Sequence, residues 1–341
     1  MSIRLLLALV ILVSGCSGNR KTPVVVYSPH GKELLSTFER LYEVQHPDQV
    51  VQWLDMGSQD AYDRIRTERD NPQADVWWGA PMVMFAKAEK ESLLSRYIPT
   101  WDSSISPDLK SRNGNWYGTF VTPEVIVYNN HVLSRSEVPT DWAGLTDPKW
   151  KDKIIIRSPL ASGTMRIIFS AIIEREVERT GSTRAGFEWL RSLDANTRNY
   201  APDPTQLYLD IAREEGVLTV WDLPDVIMIT SQYGYPFGYV VPSSGTPLIT
   251  DAIAIVRGSP HRKEAEMFYE FVTSVESAEL QAEKFARIPA RSDIPKSALP
   301  PWMASLDLKP MIINWDSLSQ HEQEWMKTWD DQIKGSGYAS R

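Results

Sequence analysis

One cysteine, Cys16, stands among 341 residues, so no intramolecular disulfide can form. A structural zinc site built on cysteines is excluded with it. Histidine is scarce too, at five residues. His321 and Glu322 miss the H-E-x-x-H zinc pattern because Trp325 occupies the place of the second histidine. There is no G-x-S-x-G nucleophile elbow to support a hydrolytic triad, and no G-x-x-x-x-G-K-[ST] loop with which to hold ATP. Positive charge is in deficit, with 36 Lys and Arg against 44 Asp and Glu. The net charge of -8 argues against nucleic acid, whose phosphates call for basic surfaces. Mean hydropathy is -0.31, which excludes a polytopic membrane protein. Internal repeats and low-complexity segments are absent.

What is present begins at the N-terminus. Arg4 supplies a basic start, and residues 5–13 form an apolar run. A bilayer span takes roughly 20 apolar residues, whereas a signal-peptide core takes about 7 to 15. Val13, Ser14, Gly15 and Cys16 then resemble the lipobox of bacterial lipoproteins. Small residues admit the segment to a peptidase, and the Cys16 thiol is the acceptor of diacylglycerol. The expectation is a signal peptide over 1–15, lipidation at Cys16 and a polar tether over 16–23, holding the protein on the extracytoplasmic face of a membrane or on the cell surface.

The length suits two domains, and 42% hydrophobic with 23% charged residues is a globular composition. From Val24 onward short β-rich runs alternate with amphipathic helical stretches, the pattern of an α/β fold with a largely parallel sheet. Strands are expected at 24–27, 50–54 and 74–78. Between them lie helices at 32–46, where Leu34, Leu35, Phe38, Leu41 and Tyr42 share a face, and at 60–71. Pro81 suits the first position of a helix running to about Glu91. Residues 116–120 and 123–128 are β-rich, and the second run is an apolar strand able to cross between lobes. A second α/β region follows, with strands at 154–156, 218–221 and 239–241 and helices at 165–180, 185–192 and 206–215. Residues 252–256 are the candidate return crossing. Helices at 262–275 and 278–285 come next, anchored by Phe268, Phe271 and Val272. The end, with Trp302, Trp315, Trp325 and Trp329, reads as helical and packed, fraying from Gly335.

Several segments carry a family likeness: VYSPH at 26–30, ADVWWG at 74–79, TPEVIVYN at 122–129, DPKWKDKI at 147–154 and SPLASGT at 158–164. Gly245, Thr246, Pro247 and IPAR at 288–291 extend it. In order and spacing the chain resembles the type II solute-binding proteins of bacterial ABC importers, in the branch that includes ferric-ion binders and binders of phosphorylated or phosphonate solutes. The resemblance implies a two-lobed type II periplasmic-binding-protein fold, each lobe a mixed, mostly parallel sheet flanked by helices, with two crossing strands as the hinge. Lobe 1 is expected over 24–126 and 252–290 and lobe 2 over 127–251, with 291–341 a helical segment of unassigned lobe. It further implies a monomer that holds a solute in the cleft and presents the closed form to a permease driven by a separate ATPase.

Ligands of open α/β sheets lie beyond the carboxyl ends of strands, where helix N-termini offer unpaired amides. Three loops have that form: Ser28 and His30 after the first strand, Ser58 after the second, and Ser162, Gly163 and Thr164 before the 165–180 helix. The last is the preferred anion site, although Ser162 or Thr164 can equally serve only as a helix cap. His30 can donate to an oxyanion or simply lie exposed in its turn. Trp77 and Trp78 point to opposite sheet faces, which leaves one of them, taken as Trp78, for the cleft. Trp221 and Asp222 reach the ligand from lobe 2, or pack and cap before Pro224. Glu124 beside the crossing binds an amine or hydroxyl, or bonds within the hinge.

The function these residues support is capture of a small anionic solute, a phosphate ester or phosphonate, without chemistry. Ferric ion is the alternative. Ferric-binding relatives typically use adjacent tyrosines, whereas here Gly234 separates Tyr233 from Tyr235 and residues 221–225 contain none. No cofactor and no resident metal are expected. A ligand-sensing surface receptor would share the fold and differ only in partner, and a secreted hydrolase is the remaining rival.

Overall fold

The computed structural model describes residues 21–336, so Cys16 and the leader expected around it lie outside the described residues. The first lobe opens with β1 (Thr22–Ser28), α1 (Lys32–Gln45), β2 (Gln49–Asp55), α2 (Ser58–Thr67), β3 (Val76–Pro81), α3 (Met82–Lys90) and a short β4 (Leu94–Ser95). β1 lies between β2 and β3 and runs parallel to both. Next comes β5 (Tyr117–Asn129), thirteen residues and therefore about 40 Å long at the usual strand rise. The second lobe follows as β6 (Ile154–Arg157), α4 (Gly163–Thr180), α5 (Arg184–Asn196), β7 (Thr197–Ala201), α6 (Pro204–Ala212), β8 (Leu218–Asp222), α7 (Leu223–Tyr233) and β9 (Phe237–Val240). The chain then returns through β10 (Leu248–Val256), α8 (Arg262–Val272), α9 (Val275–Phe285) and β11 (Ile288–Pro289), and ends in α10 (Pro301–Ala304) and α11 (Trp315–Gln332).

β5 makes one sheet of two lobes. Its residues 117–123 pair antiparallel with β10, and residues 124–128 pair antiparallel with β8. The strand order is β2-β1-β3-β10-β5-β8-β6-β7, and β6 runs parallel to both of its neighbours. Val125, Ile126 and Val127 are fully buried, as a strand covered on both faces demands.

The expected return crossing at 252–256 is corrected. Those residues lie within the first lobe's sheet, paired with β3 and β5. The chain re-enters through residues 241–247, where the Glu124 amide donates to the Pro247 carbonyl at 3.3 Å and the Thr246 hydroxyl donates to the Glu124 carbonyl. α7 was not among the expected helices; proline at a helix's second position loses no bond, and Asp222 caps the helix ahead of it. Pro81 precedes α3 rather than opening it.

Lobe 1 has an apolar layer on each sheet face. Trp78 joins Phe38, Tyr42 and Phe268 on one side, and Trp77 joins Tyr62 and Phe85 on the other. The expectation that Trp78 faces the cleft is therefore corrected, since both indoles are fully buried and each packs under helices. The tryptophan-rich end belongs with lobe 2: Leu318, Trp325, Met326 and Trp329 are part of its core. Trp329 meets Phe169 and Tyr200 edge to face, at centroid distances of 5.6 and 5.2 Å. No helix among the described residues is long and apolar enough to cross a membrane.

Truncating a fully buried aromatic removes its transfer energy and leaves a cavity. Trp329→Ala is expected to cost about 3 to 5 kcal/mol in urea unfolding. A loss below 1 kcal/mol would show that α11 is peripheral to lobe 2.

Candidate ligand-binding cleft

Helix ends of both lobes wall a cavity of about 350 Å3. Lobe 1 contributes Gly57 and Ser58 at the start of α2, with Pro81 and Val83 at the start of α3. Lobe 2 contributes Ser162, Gly163 and Arg166 around the start of α4, and Glu322 of α11 completes the wall. The first amides of a helix have no intrahelical acceptor and sit at the positive end of its dipole. α2 is preceded by Gly57, which has no side-chain acceptor to offer those amides. At α4 the Ser162 hydroxyl accepts from the Met165 amide at 3.2 Å. A Cβ at Gly163 would meet no atom within 4 Å, so close approach to the backbone there is open. Arg166, one turn into α4, donates from Nη2 to the Leu160 carbonyl at 3.4 Å, and its buried Nε has no partner. Two dipole ends and a guanidinium with a spare donor offer positive partners to an anion, while the side chains of Asp60 and Glu322 line the same cavity and oppose it.

A second polar group lies where β5 passes between the lobes. Phe120, Thr122 and Glu124 alternate onto one face of the strand. Asp222 stands opposite Glu124 and Asp251 opposite Phe120, so both carboxylates share that face. Arg287 reaches the same place, its guanidinium 5.2 Å from the Phe120 ring centroid and its Nη1 3.9 Å from Asp225 Oδ1. That ion pair joins the segment after α9 in lobe 1 to the first turn of α7 in lobe 2. Asp225 Oδ2 also accepts from the Tyr208 hydroxyl at 2.8 Å and from Trp221 Nε1 at 3.3 Å.

Burial sets the protonation of this group. It raises the Glu124 carboxyl well above its ordinary range, and Asp222, Asp225 and Asp251 add repulsion. Asp222 is raised by burial and by Asp225, against the attraction of Arg287. Asp251 is pushed up to about 6 by burial, with Arg287 opposing. Burial holds His30 well below the usual imidazole range, and the charge of Arg287 adds to this, so its ring is neutral. That ring lies edge-on to Trp78, with centroids 5.2 Å apart, and 4.9 Å from Phe120, and its Nε2 has no partner. Gly79 makes the room: its φ is +96°, and a Cβ there would stand 2.4 Å from His30 Cε1.

Of the residues singled out from sequence, Ser58, Ser162 and Gly163 line one cavity. His30 and Asp222 instead feel the charge of Arg287, and Glu124 stands opposite Asp222 on the neighbouring strand. Thr164 is half-buried in the first turn of α4, beside the cavity wall. Ser28 is fully buried and its hydroxyl accepts from the His30 amide at 3.2 Å, which shapes the turn. Trp221 is buried in the lobe 2 core and donates to the Tyr208 hydroxyl at 2.9 Å. Asp222 caps α7, accepting from the Asp225 amide at 2.9 Å, while facing Glu124. Sequence reading missed Arg166, Asp225, Asp251, Arg287 and Glu322. Arg166 was within reach, four residues after the cap Ser162 and hence on the same side of the helix. Asp251 and Arg287 come to the site only through strand register, which no local pattern discloses.

Comparison with known proteins follows the same lines. The family model described as bacterial extracellular solute-binding protein matches residues 77–321. A probable ABC transporter periplasmic-binding protein of Sinorhizobium fredii is 24% identical over 326 residues, covering 91% of this chain and 86% of its own. The periplasmic binding protein AfuA from Actinobacillus pleuropneumoniae, solved with exogenous fructose-6-phosphate bound, superposes with a TM-score of 0.77 at 24% identity, over 92% of this chain and 99% of that one. A ferric binding protein from Campylobacter jejuni gives 0.79 at 17% identity, over 90% and 98%. These are type II periplasmic binding proteins, and the chain belongs to the family of bacterial extracellular solute-binding proteins that serve ABC importers.

Proposed function

We propose that the solute is a small organic anion, a phosphate ester or phosphonate, trapped by closure of the two lobes over the α2 and α4 helix ends. The observation that carries this reading is the unpartnered, buried Arg166 Nε in a wall that already holds the first amides of two helices. A volume of about 350 Å3 lies near the lower end of small-molecule sites, which span roughly 300 to 1,000 Å3, and suits a solute of few atoms. Closure gains free energy only from contacts made to both lobes at once, so the solute's differential affinity sets the closed population. Among the described residues no group of three or more His, Cys, Asp or Glu is placed to hold a metal ion, and Tyr233 is 59% exposed. That donor set favours an oxyanion held by nitrogen over ferric ion held by oxygen.

In this reading the protein works as a monomer, held at the membrane by lipid on Cys16, and passes its solute to a permease and ATPase of the same system. It alters no bond in the solute. The fructose-6-phosphate bound to AfuA is one member of the solute class proposed here.

Two outcomes test it. A bound phosphonate or sugar phosphate at about 100 times its dissociation constant should add about 2.7 kcal/mol of stability. Arg166→Gln should weaken that ligand roughly 10- to 100-fold in calorimetry, because a charge-assisted hydrogen bond contributes about 1.5 to 3 kcal/mol. Stabilisation by ferric ion with no response to any phosphate or phosphonate would overturn the reading. For the anchor, Cys16→Ser should move the protein from the membrane fraction to the soluble fraction and abolish incorporation of labelled fatty acid; unchanged fractionation would refute lipidation.

A further inference from the structure

The C-terminal segment is bonded to the connection between the lobes and touches both lobes shortly afterwards. Pro310 bridges Thr246 of the returning connection: the Thr246 amide donates to the Lys309 carbonyl at 2.9 Å, and the Met311 amide donates to the Thr246 carbonyl at 2.8 Å. Gly245 permits this approach, since its φ is +109° and a Cβ there would stand 3.0 Å from the Pro310 carbonyl oxygen. Asn314 then caps α11, accepting from the Ser317 amide at 3.0 Å, which sets Trp315 as the first residue of the helix. Beyond it α11 belongs to lobe 2. The Ser317 hydroxyl donates to Glu174 of α4 at 3.0 Å, and Leu318, Trp325 and Trp329 lie in the lobe 2 core.

Trp315 does not stay with that lobe. It packs against the lobe 2 core, against the lobe 1 layer that holds Trp77 and Phe85, and against an apolar group in which Val83 and Ile249 of lobe 1 meet Ile167 of lobe 2. α11 accordingly lies against α3 as well as α4. Resting on lobe closure as proposed above but not on the solute's chemistry, we infer that residues 309–315 form a strap fixed to the returning connection and to lobe 2, with Trp315 as its latch on lobe 1, favouring closure before any solute arrives. Opening moves α3 away from α4, and α11, anchored by Trp329, goes with α4. The indole must then leave Val83 and Ile249 and return apolar area to water, and an indole is among the largest such areas a side chain can offer. A bias of this kind acts on the closed population itself, so it multiplies the affinity for every solute by one factor.

Small-angle scattering of the ligand-free mature chain tests this before any solute is known. Trp315→Ala should enlarge the radius of gyration relative to the wild type, whereas Trp329→Ala, which loosens the lobe 2 core alone, should not. Should Trp315→Ala not fold, Trp315→Leu carries the test, with a smaller enlargement in the same direction. In calorimetry the affinities of the Trp315 variant for inorganic phosphate, ethylphosphonate and fructose-6-phosphate should fall together, by one common factor of about 5 to 10. Unchanged dimensions of the Trp315 variants, an equal enlargement by Trp329→Ala, or losses that differ by more than about 3-fold between probes would overturn the latch and leave closure standing. Wild-type dimensions that stay the same when a probe is bound to saturation would overturn closure and latch together. Where none of the three probes binds, the ligand-free radius alone decides.

Discussion

A fully buried carboxyl group whose oxygens have no hydrogen-bond partner sits at the midpoint of β5, the strand that both lobes share. Taking such a group from water in its charged form is costly, and burial together with the neighbouring aspartates raises Glu124 well above the ordinary carboxyl range, which favours its neutral form. Glu124 occupies that position because β5 must pass continuously from one sheet to the other. Its alternation turns Phe120, Thr122 and Glu124 to one side, and its partners β10 and β8 bring Asp251 and Asp222 to the same side. Arg287 partly offsets the charge, and through Asp225 it also ties the two lobes together.

The cavity wall formed by the first turns of α2 and α4 carries Arg166, with Glu322 of α11 beside it. The two groups have different origins in the topology: the helix starts of the cavity wall follow the carboxyl ends of β2 and β6, whereas Glu124, Asp222 and Asp251 lie on β5 and its neighbours. Each lobe keeps its own apolar core, with Trp77 and Trp78 on opposite faces of the first sheet and Trp329 fastening α11 to the second. Residues 241–247 return beside β5, bonded at Glu124 by the Thr246 hydroxyl and the Pro247 carbonyl, so the two connections between the lobes are joined there by hydrogen bonds.

Much of this was legible in the sequence where periodicity and family likeness agree. The β1–α1–β2–α2–β3 units, the β5 crossing and the Ser162-Gly163 start of α4 fall where alternation and capping patterns place them. α7 was not expected, although its start is marked by the Asp222 cap with Pro224 in the first turn. Trp78 was given to the cleft by a correct alternation argument that omitted the helices covering both faces of β3. The site itself was half legible. Side chains next to a helix start could be named, but the company of Glu124 is assembled from residues 98 to 163 positions away in sequence, by register and by α9, and single-chain patterns do not carry that information.

The central claim is that two hinged lobes close on a diffusible anion. Small-angle scattering of the mature protein, with and without a saturating phosphonate, tests it most directly. The account expects the radius of gyration of the bound form to contract relative to the ligand-free form. An identical profile in both states, from a protein that calorimetry shows to be fully occupied, would contradict it.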